Sequence, residues 1–246
     1  MSNANGTRTG SEQRVLHFHY RFAFRDGKVK EFDVRLDAET LSLVGDRMDA
    51  PPPWTRLSFR RCPNCPLEAS AHPHCPAAVS LVDIVELFKD VCSSETVDVE
   101  IKTDSRTCAK RTPLSGGASG IIGLHMATSG CPHLEKLKPM VRTHLPFATL
   151  QESLYRMMAM YMMAQHFQAK RGGTPDWKMD GLVRMLEDLR MVNRSFCGRL
   201  YDVCGGDANL NALVHLDCFA DNAVLLLRNR KGVDDFERAF TAHFED

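Results

Sequence analysis

The chain has no excess of charge of either sign. Its 31 lysines and arginines equal its 31 aspartates and glutamates, so the formal net charge is zero. A general nucleic-acid binder carries a basic excess, so no nucleic-acid partner is expected. No apolar window approaches the length that spans a bilayer, so no membrane partner is expected either. An apolar signal core is missing from the polar stretch Met1 to Gln13. Residues 1–14 therefore read as a disordered arm, and the protein is expected to stay in the cytoplasm, where thiols are kept reduced. Internal repeats and long low-complexity tracts are lacking. So is an even cysteine count: nine cysteines argue against a purely disulfide framework. What remains is ordinary globular composition, 43% hydrophobic and 25% charged over 246 residues, enough for a large core. We read it as a single domain over 15–246.

The first half is patterned for strands. Leu16, Phe18, Tyr20, Phe22 and Phe24 alternate with His17, His19, Arg21 and Ala23, the period of a half-buried strand. Asp26-Gly27 is a hairpin signal, and Phe32, Val34 and Leu36 continue the apolar face on the returning strand. Short strands are expected at Leu41 to Val44 and at Thr55, Leu57 and Phe59, on either side of the stiff Pro51-Pro52-Pro53 break. Val97, Val99, Ile101 and Thr103 predict another strand.

Helices dominate the remainder. Pro76 to about Val91 and Leu114 to Thr128 predict two, the second glycine-rich, tightly packed and ended by Gly130. Thr149-Leu150-Gln151-Glu152 is a capping box that opens a helix to about Lys170. That helix is apolar nearly all round, which suits the centre of a bundle. Thr174-Pro175 is expected to start the next, Asp207 to cap one running to about Arg230, and Lys231-Gly232 to lead into a short last one. With strands before 105 and helices after 113, the fold class is α+β: an N-terminal antiparallel sheet of four or five strands packed with a C-terminal bundle of four or more helices.

The cysteines sort themselves into two classes. Cys62, Cys65, Cys75 and Cys131 are each followed by proline, whereas Cys92, Cys108, Cys197, Cys204 and Cys218 are not. Proline is roughly one residue in twenty, so nine cysteines should give less than one such pair by chance. Proline pushes the residue before it into an extended conformation and stiffens the loop, which lowers the entropy lost on ordering a thiol at a metal. Pro76 and Pro132 also stand where helices should begin. A helix N-terminus favours negative charge and lowers a thiol's pKa, and Arg60 and Arg61 add positive charge near Cys62.

These four cysteines are therefore the expected metal-binding set, although Cys131 lies 56 residues beyond Cys75. Four thiolates suit structural zinc or an iron–sulfur cluster. Zinc sites usually pair two short Cys steps, and this chain has one. Three local cysteines plus a remote one, with proline following, favour a [4Fe–4S] cluster, with Zn2+ as the alternative. His72, His74 and His133 lie beside the cysteines. His74 or His133 could replace a thiolate, but loop histidines beside the site are the commoner outcome.

The segments CPNCPLE, HPHCPAA, SGCPHL and HLPFATLQESLYRM resemble an uncharacterised bacterial protein family of unknown function, over roughly Val15 to Leu227. The resemblance implies a bacterial cytosolic protein and nothing about its chemistry.

Other constellations carry less. Gly116 to Gly120 lacks the Gly-Lys-Ser/Thr ending of a phosphate loop. His17 and His19 share a strand face that is more often solvated. Glu152 already has a capping role, which weakens an acid–base pairing with His144 or His166. The methionines at 157–163 suit core packing better than copper. Cys197 and Cys204 are too far apart along a helix to bind one metal alone. Asp217 and Asp221 share one helical face and fit either the surface or a bundle salt bridge. No catalytic residue can be named. The expected function is a [4Fe–4S] redox or sensory protein that acts on an unknown redox or protein partner, with a homo-oligomer left open. The alternative is an enzyme of unknown substrate, with a zinc or iron–sulfur site between sheet and bundle.

Overall fold

A computed structural model describes residues 14–45, 48–229 and 231–244. The arm expected over 1–14 lies outside the described residues except for Arg14, whose carbonyl accepts a hydrogen bond from Ala38.

The strands β1 (Val15–Phe24), β2 (Val29–Asp37), β3 (Thr96–Thr103) and β4 (Thr107–Pro113) form one antiparallel sheet in the order β2-β1-β3-β4. Gly27, at φ +85°, supplies the left-handed residue in the β1–β2 turn. The alternation decides the faces: Phe18, Tyr20, Phe22, Val97, Val99 and Ile101 are buried. On the other face His19 pairs with Asp33 at 2.8 Å, so that face is solvated and charged.

Two expected strands did not form. Pro53–Thr55 is a single 3-10 turn, and only Arg56 makes an isolated bridge, to His74. Leu43 likewise makes only one bridge, to Leu36. The edge strand β4 carried no period-two signal because neither of its faces is deeply buried.

The helices are α1 (Pro76–Ser80), α2 (Val82–Phe88), α3 (Leu114–Thr128), α4 (Leu150–Lys170), α5 (Asp180–Tyr201), α6 (Ala208–Arg228) and α7 (Lys231–Glu237). The centre is α3, with eleven of its fifteen residues buried. At Gly117 a Cβ would stand 2.8 Å from Val99 Cγ2 and 3.2 Å from Phe22 Cε1, so glycine lets α3 lie directly on the sheet. Gly130, at φ +88°, ends α3 as expected. On the side away from the sheet α3 packs on α6, which packs on α5.

The expectation that α4 fills the bundle centre is overturned. Its capping box forms, but only Leu154 and Met157 are buried, while Met163 and Phe167 are 60% and 49% exposed. The next helix begins at Asp180 rather than at Thr174-Pro175. Asp207 occupies the N-cap of α6, yet its carboxylate reaches back to Ser93 (N 2.6 Å, Oγ 2.8 Å) and ties α6 to the approach to β3.

Contrary to the sequence expectation, α6 is long and apolar enough by length and composition to cross a membrane, with a mean hydropathy of 1.4. Its Asp217 and Asp221 pair with Arg190 and Arg194 of α5 at 2.6 to 3.8 Å, the bundle salt bridge that the spacing suggested.

Candidate metal centre

Cys62 and Cys65 sit on one turn, closed by a hydrogen bond from the Cys65 amide to the Cys62 carbonyl at 3.0 Å. Cys75 is the N-cap residue of α1, with Pro76 in the first helical position. Its own amide bonds the Thr55 carbonyl at 2.8 Å, which fastens this segment to the 3-10 turn after the prolines. Cys131 follows the end of α3 and leads through a turn into the 3-10 helix Leu134–Thr143. Cys75 is buried and the other three are half-buried.

These positions come together. Cys62 feels the charge of Cys75, Cys131 and Cys65; Cys131 feels Cys75 and Cys65; Cys75 feels Cys65. All six pairs are thus within electrostatic reach. Among the described residues, however, no three His, Cys, Asp or Glu side chains are grouped closely enough to hold a metal ion as they stand. The four thiols thus act on one another electrostatically without forming a ready-made ion site.

The expected electrostatics hold in part. Backbone N–H groups of Ala78 and Ala77 pull the Cys75 thiol down, and those of Leu134 and His133 do the same for Cys131. Burial outweighs them, so both thiols are raised, and Cys62 is pushed up to about 11. Without an occupant these three thiols stay protonated at neutral pH.

The arginines that sequence reasoning assigned to Cys62 are engaged elsewhere. Arg60 pairs with Asp202 at 2.8 Å, and Arg61 donates to the carbonyls of Cys65 and Leu67. The cation facing the cysteines is Arg199 of α5, which is 1% exposed and whose charge acts on Cys75, Cys62 and Cys65. Its Nη1 donates to the carbonyls of Trp54 and Arg56, the latter at 3.1 Å. The guanidinium stacks between the rings of Phe59 and Phe196, 5.6 and 5.4 Å from their centroids. Its Nε is buried with no partner. A signal was present in the sequence: Arg199 stands three residues after Phe196, on the apolar stripe of α5, where a charge is out of place.

The histidines take other positions. His133 Nε2 donates to the Asn64 carbonyl at 2.7 Å, and its Nδ1 lies 3.5 Å from Asp188. The Asn64 amide donates to the Asp188 carbonyl at 3.1 Å. His133 thus clamps the Cys131 turn to the Cys62–Cys65 turn and both to α5. The Thr55 hydroxyl donates to Pro52 and accepts from His74 Nδ1 at 2.7 Å. His72 is exposed. Behind the Cys75 and Cys131 turns lies an open groove of about 870 Å³, lined by His72, His74, Pro76, His125 and Ser129 among others.

The chain belongs to the family described as Domain of unknown function (DUF6901), which matches residues 18–241. No curated protein and no solved structure matches it.

Proposed function

We propose, for a family with no assigned activity, that Cys62, Cys65, Cys75 and Cys131 hold a [4Fe–4S] cluster and that the protein is a redox or sensory protein of a reducing bacterial cytosol. The observation that carries this is the mutual electrostatic reach of the four Cys-Pro cysteines, drawn from two turns and from a third segment beyond α3. Such thiols would ionise together only with a cation to compensate them, which a metal or cluster supplies. A cluster takes one thiolate on each iron. A single zinc ion needs all four sulfurs about 2.3 Å from one point, whereas three local cysteines and a remote one, each before proline, favour the cluster. When bound, the cluster would supply one-electron chemistry; Cys62, Cys65, Cys75 and Cys131 would hold it, Cys75 from a buried position and the other three from half-buried ones.

A second reading, an enzyme with the metal at its centre, draws on the groove behind the Cys75 and Cys131 turns. Anaerobic purification followed by iron, sulfide and zinc analysis tests both. Brown protein with iron and sulfide is expected. Zinc alone would replace the cluster with a structural site. Protein without metal, or with metal retained after all four cysteines are changed to serine, would overturn the proposal.

A further inference from the structure

We propose that Arg199 is the built-in counter-ion of the cysteine centre, so that the site is charge-balanced only when its occupant carries net negative charge. This rests on the metal reading above and goes beyond it, because it assigns a residue on a distant helix to the charge of the centre. A buried guanidinium is costly unless an anion faces it. Among the described residues no carboxylate forms an ion pair with Arg199. Its neighbours are two carbonyls, two aromatic rings and the thiols of Cys62, Cys65 and Cys75.

Carbonyls and ring faces orient a guanidinium but bring no full charge to neutralise it. The thiols can. Four thiolates around Zn2+ or around an oxidised [4Fe–4S] core leave a net negative group, and reduction of the cluster adds one more negative charge. Arg199 therefore favours the loaded site over the empty one, and the reduced cluster over the oxidised one. The position suits a guanidinium. Nη1 alone donates to both the Trp54 and Arg56 carbonyls while the flat group lies 5.6 and 5.4 Å from the Phe59 and Phe196 ring centroids, a pair of ring contacts that a compact lysine ammonium makes less well.

The test is a comparison of Arg199→Met and Arg199→Lys in two backgrounds: the loaded protein, and a variant with all four cysteines changed to serine. Stability by urea unfolding, iron and zinc content, and midpoint potential are measured. In the loaded protein R199M should lower metal content several-fold, and any retained cluster should bind its added electron about tenfold less favourably, a shift of about 59 mV downward. R199K should fall between R199M and wild type. In the four-serine background R199M should be neutral or stabilising, since the buried charge has lost its anion. If R199M destabilises both backgrounds equally, the role is only structural and the proposal fails. It also fails if loaded R199M keeps wild-type metal content and potential. Failure of the metal reading itself would show separately, as wild-type protein that never carries metal.

Discussion

Changing His133 separates a clamp from a ligand. The Nε2–Asn64 bond of 2.7 Å joins two turns 69 residues apart, and the side chain is only 15% exposed. Removing one partner of such a bond leaves a poorly solvated carbonyl and costs about 1–3 kcal/mol. If that energy holds the Cys131 turn against the Cys62–Cys65 turn, His133→Ala should weaken metal retention by about 5- to 150-fold, at about 1.4 kcal/mol per factor of ten. The same range is expected when a group that orients ligands is lost. His133→Gln carries an N–H of similar reach and should recover most of the loss. The assay is competition with a chelator at neutral pH, with circular dichroism to confirm folding. If Ala and Gln variants both lose all metal, His133 is a ligand and the clamp is wrong. If the Ala variant retains metal as wild type does, the clamp has no role in retention.

Cys131→Ser should abolish metal or cluster binding while Cys218→Ser leaves it intact, read by elemental analysis; equal effects would remove Cys131 from the site. Gly117→Ala should destabilise: the contact at 2.8 Å costs about 1–3 kcal/mol of overpacking against about 1 kcal/mol gained in helix propensity. Gly123→Ala, whose added carbon would meet Leu216 at an ordinary 3.6 Å, should stabilise by up to about 1 kcal/mol in urea unfolding. His125 is buried and His144 half-buried, and desolvation lowers both pKa values to about 4. The unfolded chain takes up protons first, so stability is full above about pH 6.5. It should fall toward pH 4 by about 1.4 kcal/mol per unit per histidine. His144→Asn, which keeps an acceptor for the Tyr20 hydroxyl now 2.8 Å from Nε2, should roughly halve that slope in urea midpoints measured from pH 7 to 4.

The sequence was most legible where one face of an element meets the core and the other meets water. β1, β2 and β3 show this, and so does the capping box at Thr149 and Glu152. β4 escaped because an edge strand wetted on both faces has no period to read. Thr55 to Phe59 looked like a strand, but the prolines ahead of Thr55 force a turn, and that turn spends its backbone groups on Pro73 and Cys75. α4 misled in the opposite direction: apolar composition states what a helix can bury, not whether a neighbour arrives to cover it. At the candidate site, Cys-Pro pairing singled out the four cysteines from local stiffness alone. The identity of their cation was not local. Arg60 and Arg61 are near in sequence but spend their guanidinium groups on Asp202 and on the Cys65 and Leu67 carbonyls, while Arg199, 137 residues beyond Cys62, acts on the thiols from α5.

The path from Cys75 to Cys131 runs through α2, β3, β4 and α3. During synthesis, the first three thiols emerge long before the fourth. Between them lie the pairing of β3 with β1 and the seating of α3 on the sheet through Gly117. Closing so long a loop is entropically costly until those intervening contacts exist. Approach of Cys131 to the first three cysteines is therefore expected late in folding, once the sheet and its central helix are assembled.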